Sequence, residues 1–290
     1  MGKLVASVAA LTMVAAGTLA AAGPAAADEH GTTVQVQGDG TTVTLSRTTV
    51  EQGRISFKVS TSNANGSQIT LFRLVRPATL TTFKADLADE FSPDLATAAQ
   101  GTRELNRDVR AFGLADVGLG TPAMVTEQLP AGKYYLMDLG NGPGPTGPKF
   151  TTFTVRGSGR DFANGLGESD GPVIKVTSAD RFISPRTLPA QGTVTVKNVA
   201  DTIHFMAISP VTKGTTDKEI QAFFDSGAQV QPPFFVNGPS VGMDVLSPGR
   251  QLELTYKLPP GTYVLMCFIA DDVTGIPHAF MGMHKVVILK

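Results

Sequence analysis

The chain has 290 residues, a formal net charge of −1, no tryptophan and one cysteine. Its length accommodates two domains of ordinary size, and its many Gly, Pro, Thr and Val residues favour short strands joined by turns. The near-neutral charge, without any basic block, makes nucleic acid and anionic membranes poor candidate partners. A single cysteine excludes an internal disulfide and a zinc site built from cysteine pairs.

Residues 1–27 show the pattern of a secretory signal peptide. Lys3 supplies a positive start, Leu4 to Ala22 form an apolar, alanine-rich core, and the run ending at Ala27 offers small residues for cleavage. No second long apolar stretch follows. We therefore expect a mature protein without a membrane span, secreted or otherwise outside the cytoplasm.

Residues 28–156 and 172–290 predict two β-domains, joined by a glycine-rich and charged linker at 157–171. Alternating apolar and polar residues, as at Ile55, Phe57 and Val59, are typical of strands with one buried face and one face in water.

Each β-domain carries a predicted helical insertion. In the first domain the helices lie around Leu80–Phe91 and Leu95–Phe112. In the second domain the segment TTDKEIQAFFDSG predicts one helix, with Thr216 and Glu219 as a capping box and Gly227 as its stop.

The two domains are repeats of each other. LPAGKYYLMDLG in the first matches LPPGTYVLMCFI in the second, which aligns Asp138 with Cys267; a similar alignment places Thr70 opposite His204. A repeat of domain length indicates two domains of one fold rather than a solenoid.

The second domain gathers residues that suit a soft metal. His204 begins a predicted strand, Cys267 ends another, and His278 and Met283 lie in the loop before the closing strand. Two imidazoles, a thiolate and a weak thioether are the ligand set of a type 1 copper site. Each residue alone has an ordinary reading as core or loop packing, but their combination in this order indicates copper.

This domain resembles the cupredoxin family, the blue-copper domains of plastocyanin, azurin and nitrite reductase. The resemblance rests on the turn with Asn198 before His204, on the GTY run before Cys267, and on the spacing His278-AFMG-Met283. It extends more faintly to the first domain. The resemblance implies an all-β protein of two tandem Greek-key β-sandwiches, each with a helical insertion.

The resemblance also implies one type 1 copper as the cofactor. His204, Cys267 and His278 are the implied equatorial ligands. Met283 is the implied axial ligand, with Met281 as a rival because some family members use a shorter spacing between histidine and methionine.

Four positions depart from the family pattern. Phe205 and Phe268 stand where residues that hydrogen-bond around the thiolate are common. In the first domain, Thr70 and Asp138 occupy the ligand positions, and the loop after Asp138 has no histidine, cysteine or methionine. We expect that domain to bind no copper and to act as a structural partner, with docking of another molecule as the alternative.

The number of histidines restricts other chemistry. The chain has four, His30, His204, His278 and His284, with no His-x-His pair for the trinuclear cluster of a multicopper oxidase. Nor do they supply a nitrite-reductase type 2 centre, and Cys267 lies on no elbow typical of a Cys–His hydrolase. We therefore expect a protein that is not an enzyme, which transfers single electrons to a redox partner protein or handles copper. The alternative is a copper-free extracellular binding or structural module.

Overall fold

The computed structural model describes residues 32–157, 166–167, 171–228 and 230–290. The predicted signal peptide and most of the predicted linker lie outside the described residues, so the domain boundaries stay predictions. No described helix has the length and apolar character that a bilayer span requires.

The first half of the molecule, residues 32–157, consists of strands with two helices inserted between the fifth and sixth strands. Its elements are β1 (Thr32–Gly38), β2 (Val43–Leu45), β3 (Thr49–Glu51), β4 (Gly53–Thr61), β5 (Ser67–Leu74), α1 (Leu80–Glu90), α2 (Leu95–Asp108), β6 (Val109–Val117), β7 (Ala123–Leu129), β8 (Gly132–Asp138) and β9 (Thr151–Arg156).

The second half, residues 171–290, repeats this order with one helix. Its elements are β10 (Val173–Thr177), β11 (Arg181–Ile183), β12 (Thr187–Leu188), β13 (Gln191–Asn198), β14 (His204–Pro210), α3 (Asp217–Asp225), β15 (Val241–Leu246), β16 (Gln251–Lys257), β17 (Gly261–Met266), a short 3-10 helix (His278–Met281) and β18 (His284–Leu289).

Both halves contribute to the same two sheets. One sheet has the strand order β11-β10-β13-β16-β7-β4-β1-β2, and the other has the order β12-β18-β17-β14-β15-β6-β5-β8-β9-β3. In each sheet, the strands counted inward from one end are the counterparts, in the repeat, of the strands counted inward from the other end. The two halves are therefore related by an approximate two-fold axis. The predicted all-β fold of two tandem sandwiches with helical insertions is confirmed. The prediction did not include the two continuous sheets to which both halves contribute.

The core lies between the two sheets and runs through both halves. Val125 on β7 and Leu254 on β16 are directly paired and fully buried where the halves join. Around them the apolar faces of the alternating strands pack in one continuous cluster. A smaller apolar cluster lies under α3 and includes Ile220 and Met266.

The helices lie where the sequence predicted them, but the predicted end of α2 was wrong. Thr216 and Glu219 form the predicted capping box of α3, and Gly227 adopts the positive φ (+63°) of a helix stop. The helix predicted over Leu95–Phe112 ends at Asp108, however. The segment that starts at Val109 is a strand, because it pairs with β5 on one side and with β15 on the other.

Candidate metal centre

His204 is the first residue of β14, a central strand of the ten-stranded sheet. The loop before it is held by Asn198. The Asn198 side chain donates to the carbonyls of Thr202 (2.9 Å) and Leu246 (2.8 Å) and accepts from the Ala200 N–H (3.0 Å). These bonds satisfy a buried amide and fix the point at which His204 enters the sheet.

Cys267 directly follows β17, and His278 begins the short 3-10 helix eleven residues later. Backbone hydrogen bonds close this segment onto itself. The Ala279 N–H donates to the Cys267 carbonyl (2.7 Å), and the Met283 N–H donates to the His278 carbonyl (2.9 Å). The segment from Cys267 to Met283, called the ligand loop below, is therefore closed by its own hydrogen bonds.

His204, Cys267 and His278 converge in the fold. The Cys267 Sγ lies 3.7 Å from the Nδ1 of His204 and 3.7 Å from the Nδ1 of His278, and all three side chains are fully buried. Bonds from a metal to thiolate or imidazole are roughly 2.0–2.3 Å long, so ligand atoms at this separation fit a shared metal ion. The donor set is the one that copper prefers.

The surroundings keep both histidines neutral. Burial lowers the pKa of His204 to about 3, helped by the neighbouring His278, and burial lowers the pKa of His278 to about 4. Neutral imidazole is the form that binds metals. Burial raises the pKa of the Cys267 thiol to about 12, so an adjacent metal cation would have to stabilise its thiolate.

Phe205 and Phe268, which depart from the family pattern, offer Cys267 no side-chain hydrogen bond. The backbone N–H groups of Ile269 and Phe205 oppose the rise in its pKa. The Phe205 and Phe268 rings lie near each other, with centroids 6.4 Å apart. The groups that oppose the raised pKa of Cys267 therefore belong to the backbone.

Met283 and Met281 lie in different surroundings. Met283 is fully buried, and its carbonyl accepts the Cys267 N–H (3.4 Å). Met281 is only half-buried, and its sulfur lies 3.5 Å from the Thr274 hydroxyl oxygen, which donates its proton to Asp271 (2.6 Å). The thioether of Met281 therefore lies against Thr274, whereas Met283 is buried.

Asp180, which the sequence did not single out, lies beside both imidazoles. Its Oδ1 is 3.9 Å from the Nε2 of His204 and 3.7 Å from the Nε2 of His278. Burial raises its pKa to about 6, and the negative charge of Asp271 acts in the same direction. Because Asp180 is far in sequence from both histidines, no local motif marks it.

The helices of the first half support the ligand loop of the second. The Ala270 N–H donates to Oε1 of Glu90 at the end of α1 (3.3 Å), and the Arg103 guanidinium on α2 donates to the carbonyl of Asp272. The sequence did not predict these contacts between the two halves. They show that α1 and α2 form part of the environment of the site.

The counterpart of His204 in the first half is Ser67, not the predicted Thr70. Ala207 pairs with the residue before the cysteine, and Thr70 pairs with the residue before Asp138. Thr70 therefore corresponds to Ala207, and Ser67 corresponds to His204. The sequence alignment is therefore wrong by three residues at this position, because only the pairing of the strands fixes the correspondence.

Asp138 occupies the position that the cysteine has in the second half. Its carboxylate accepts from the Ser67 hydroxyl (2.7 Å) and from the N–H groups of Gly40 (2.8 Å), Gln68 (3.2 Å) and Gly140 (2.9 Å). A hydrogen-bonded carboxylate thus joins the same loops that converge on the cysteine in the second half.

No protein-family model and no curated protein matches the chain. Solved structures that match the chain include auracyanin from Roseiflexus castenholzii, at 25% identity over 43% of this chain and 99% of that chain, with a TM-score of 0.27. Auracyanin A, a "blue" copper protein from Chloroflexus aurantiacus, is 15% identical over 41% of this chain and 96% of that one, with a TM-score of 0.24. Blue copper oxidase from Nitrosomonas europaea is 9% identical over 90% of this chain and 86% of that one, with a TM-score of 0.25.

At TM-scores this low, the family resemblance rests on the strand topology and the ligand cluster. The paired sheets place a buried histidine at the start of β14 and a buried cysteine after β17, with a second histidine and a buried methionine in the loop that follows. The chain therefore has a cupredoxin-like fold, with a His-Cys-His-Met group in its second half that fits a type 1 copper site.

Proposed function

We propose that the protein binds one copper ion in its second half and transfers single electrons through it. His204, Cys267 and His278 would hold the copper, and Met283 is proposed as a fourth, weaker ligand. The observation that carries the proposal is the convergence of two neutral, buried imidazoles on one buried thiol, each at 3.7 Å. When bound, copper would supply a one-electron redox couple.

The residues of the site suit electron transfer because they are already held in place. The strand of His204 and the hydrogen-bonded loop from Cys267 to Met283 leave little for the protein to rearrange. Full burial of the three donors excludes water from the ligand positions. These features favour repeated electron exchange, or copper storage, over binding of a substrate at the metal.

We propose electron transfer or copper handling rather than catalysis. A copper oxidase or nitrite reductase needs further histidines for a second centre. Of the remaining two, His30 lies outside the described residues. His284 is bonded through its ring to Gln221 (2.9 Å) and lies 3.4 Å from the Asp217 carboxylate, so it has partners of its own.

The expected signal peptide places this activity outside the cytoplasm, and a redox protein is the proposed partner. The near-neutral net charge supports no role in nucleic-acid binding.

Spectroscopy of copper-loaded protein tests the proposal. Loading with Cu(II) should produce an intense visible band from thiolate-to-copper charge transfer, and Cys267→Ala should abolish it while circular dichroism stays unchanged. His204→Gln should also remove the band, whereas His284→Gln is the matched control and should retain it. A colourless wild-type protein after loading would overturn the proposal and favour the copper-free extracellular module.

A further inference from the structure

The outer edges of the two imidazoles have no hydrogen-bond partner. Within the described residues, the Nε2 atoms of His204 and His278 are buried and unbonded. Both face the same atom, Oδ1 of Asp180, at 3.9 and 3.7 Å. A buried polar atom without a partner costs free energy, so this shared orientation toward one carboxylate calls for an explanation.

Asp180 is held over the histidines by its turn. It lies between β10 and β11 with φ +51°, a left-handed conformation that aspartate tolerates better than most residues. Its N–H donates to the Thr177 carbonyl (2.9 Å). The neighbouring Arg181 donates to the carbonyls of Asp180 (2.8 Å) and Met281 (3.4 Å), which ties the turn to the ligand loop.

The chemistry of imidazole determines what Asp180 can do there. When Nδ1 of a neutral imidazole binds a metal, Nε2 carries the ring proton and is a donor. An N–H group cannot bind a second cation, but it needs an acceptor. The carboxylate of Asp180 reaches hydrogen-bonding distance of either ring by a movement of less than about 1 Å.

Asp271, the other acidic residue beside His278, is already engaged. Its Oδ1 accepts from the N–H groups of Val273 (3.2 Å) and Thr274 (2.6 Å) and from the Thr274 hydroxyl (2.6 Å). Its carboxylate therefore serves to shape the loop. This leaves Asp180 as the acceptor toward which both rings point.

We propose that Asp180 is a positioning residue for the metal site, which accepts hydrogen bonds from Nε2–H of His204 and His278. It fixes the tautomer and orientation of both rings and places a negative charge beside the ligands. This inference rests on the proposed copper function. Because the charge stabilises the more positive oxidised metal, Asp180 strengthens Cu(II) binding and lowers the reduction potential.

Asp180→Asn tests this role, because asparagine also tolerates the left-handed backbone but carries no charge. We expect Cu(II) affinity to fall about 10- to 100-fold and the reduction potential to rise. Asp180→Glu should restore part of both. Asp201→Asn is the matched control, since it removes an exposed charge near Asp180 without a contact to either ring, and it should change neither property.

Equal effects of Asp180→Asn and Asp201→Asn would overturn the inference, because a nearby surface charge would then suffice. A second measurement does not depend on copper. In the metal-free protein, nitrogen NMR should show both histidines protonated at Nε2, and Asp180→Asn alone should shift those resonances. If the wild type binds no copper, the proposed function fails, and unshifted resonances would separately refute the role of Asp180.

Discussion

At the scale of single residues, Met283 and Met281 differ in their surroundings. Met283 is fully buried beside the backbone of Cys267, whereas Met281 is half-buried and its sulfur lies 3.5 Å from the Thr274 hydroxyl oxygen. Both spacings from His278 occur among blue-copper proteins, so spacing alone left the choice open. The surroundings of the two side chains support Met283 as the axial ligand.

Met283→Leu is expected to raise the reduction potential and change the visible spectrum of the copper-loaded protein, because it removes a weak thioether donor. The swap nearly conserves volume, so it should cost less than about 1.5 kcal/mol of stability. Met281→Leu, as the matched control, should leave both measurements close to wild type. The reverse pattern, with Met281→Leu altering the spectrum, would assign the axial position to Met281.

At the scale of elements, the helices of the first half act as supports for loops of the second. On α2, Asn106 donates to the carbonyl of Asp201 in the loop before His204 (3.1 Å), and Arg103 donates to the ligand loop. Gly275 also lies against the carbonyl of Leu95 at the start of α2, with no room between them for a side chain. Both loops that carry proposed ligands therefore rest on α2.

Gly275→Ala tests this support. The new methyl group would overlap the Leu95 carbonyl oxygen, and Gly275 has a positive φ (+71°) that alanine adopts poorly. We expect the free energy of unfolding to fall by roughly 2–4 kcal/mol, and copper binding to weaken with it. Denaturant unfolding of metal-free protein and a copper titration measure the two effects.

Gly249→Ala is the control for the cost of placing alanine in a backbone conformation with positive φ. Gly249 has nearly the same φ (+72°), but an added methyl group meets no atom within 4 Å. It should lose only about 1 kcal/mol, the cost of the conformation itself. If both variants lose the same stability, the contact between α2 and the ligand loop contributes nothing.

The sequence predicted features that lie within short segments, but not those that depend on contacts between distant segments. The capping box of α3 and the Cys267–His278–Met283 spacing lie within short segments, so their residue types carried the information. The end of α2 was placed too late because its last turn leads without a break into a strand that only pairing defines. Asp180 went unnoticed since its partners come from distant strands.

At the scale of the whole molecule, the repeat forms two continuous sheets rather than two separate sandwiches. Strand β16 pairs with β7, and β15 pairs with β6, so the edges that each half would expose are covered by the other. The repeat in the sequence predicted two copies of one fold. It did not predict this junction, because strand pairing between copies leaves no mark in either copy alone.

The junction contains two acidic residues that affect stability. Asp116 on β6 pairs with Gly242 on β15, and Asp244 lies on the same strand as Gly242. Burial, reinforced by the charges of Asp244 and Asp138, raises the pKa of Asp116 to about 7. Burial likewise raises the pKa of Asp244 to about 6. Both carboxyls therefore take up a proton at a higher pH than an exposed aspartate does.

Asp116→Asn should change how stability depends on pH. Because the pKa of Asp116 is higher in the folded protein than the ordinary 3.8, folding takes up a proton. Its stabilising contribution is complete below about pH 4 and is lost as pH rises to about 7. Asparagine stays neutral, so the variant should gain about 1–3 kcal/mol relative to wild type between pH 4 and 8.

Urea unfolding of the metal-free protein at several pH values measures this difference, in which the titration of groups far from Asp116 cancels. Asp225→Asn, at the exposed end of α3, is the control and should run parallel to wild type. If Asp116→Asn also runs parallel to wild type, folding does not raise the pKa of this carboxyl. The stability of the shared sheets would then not depend on the protonation of Asp116.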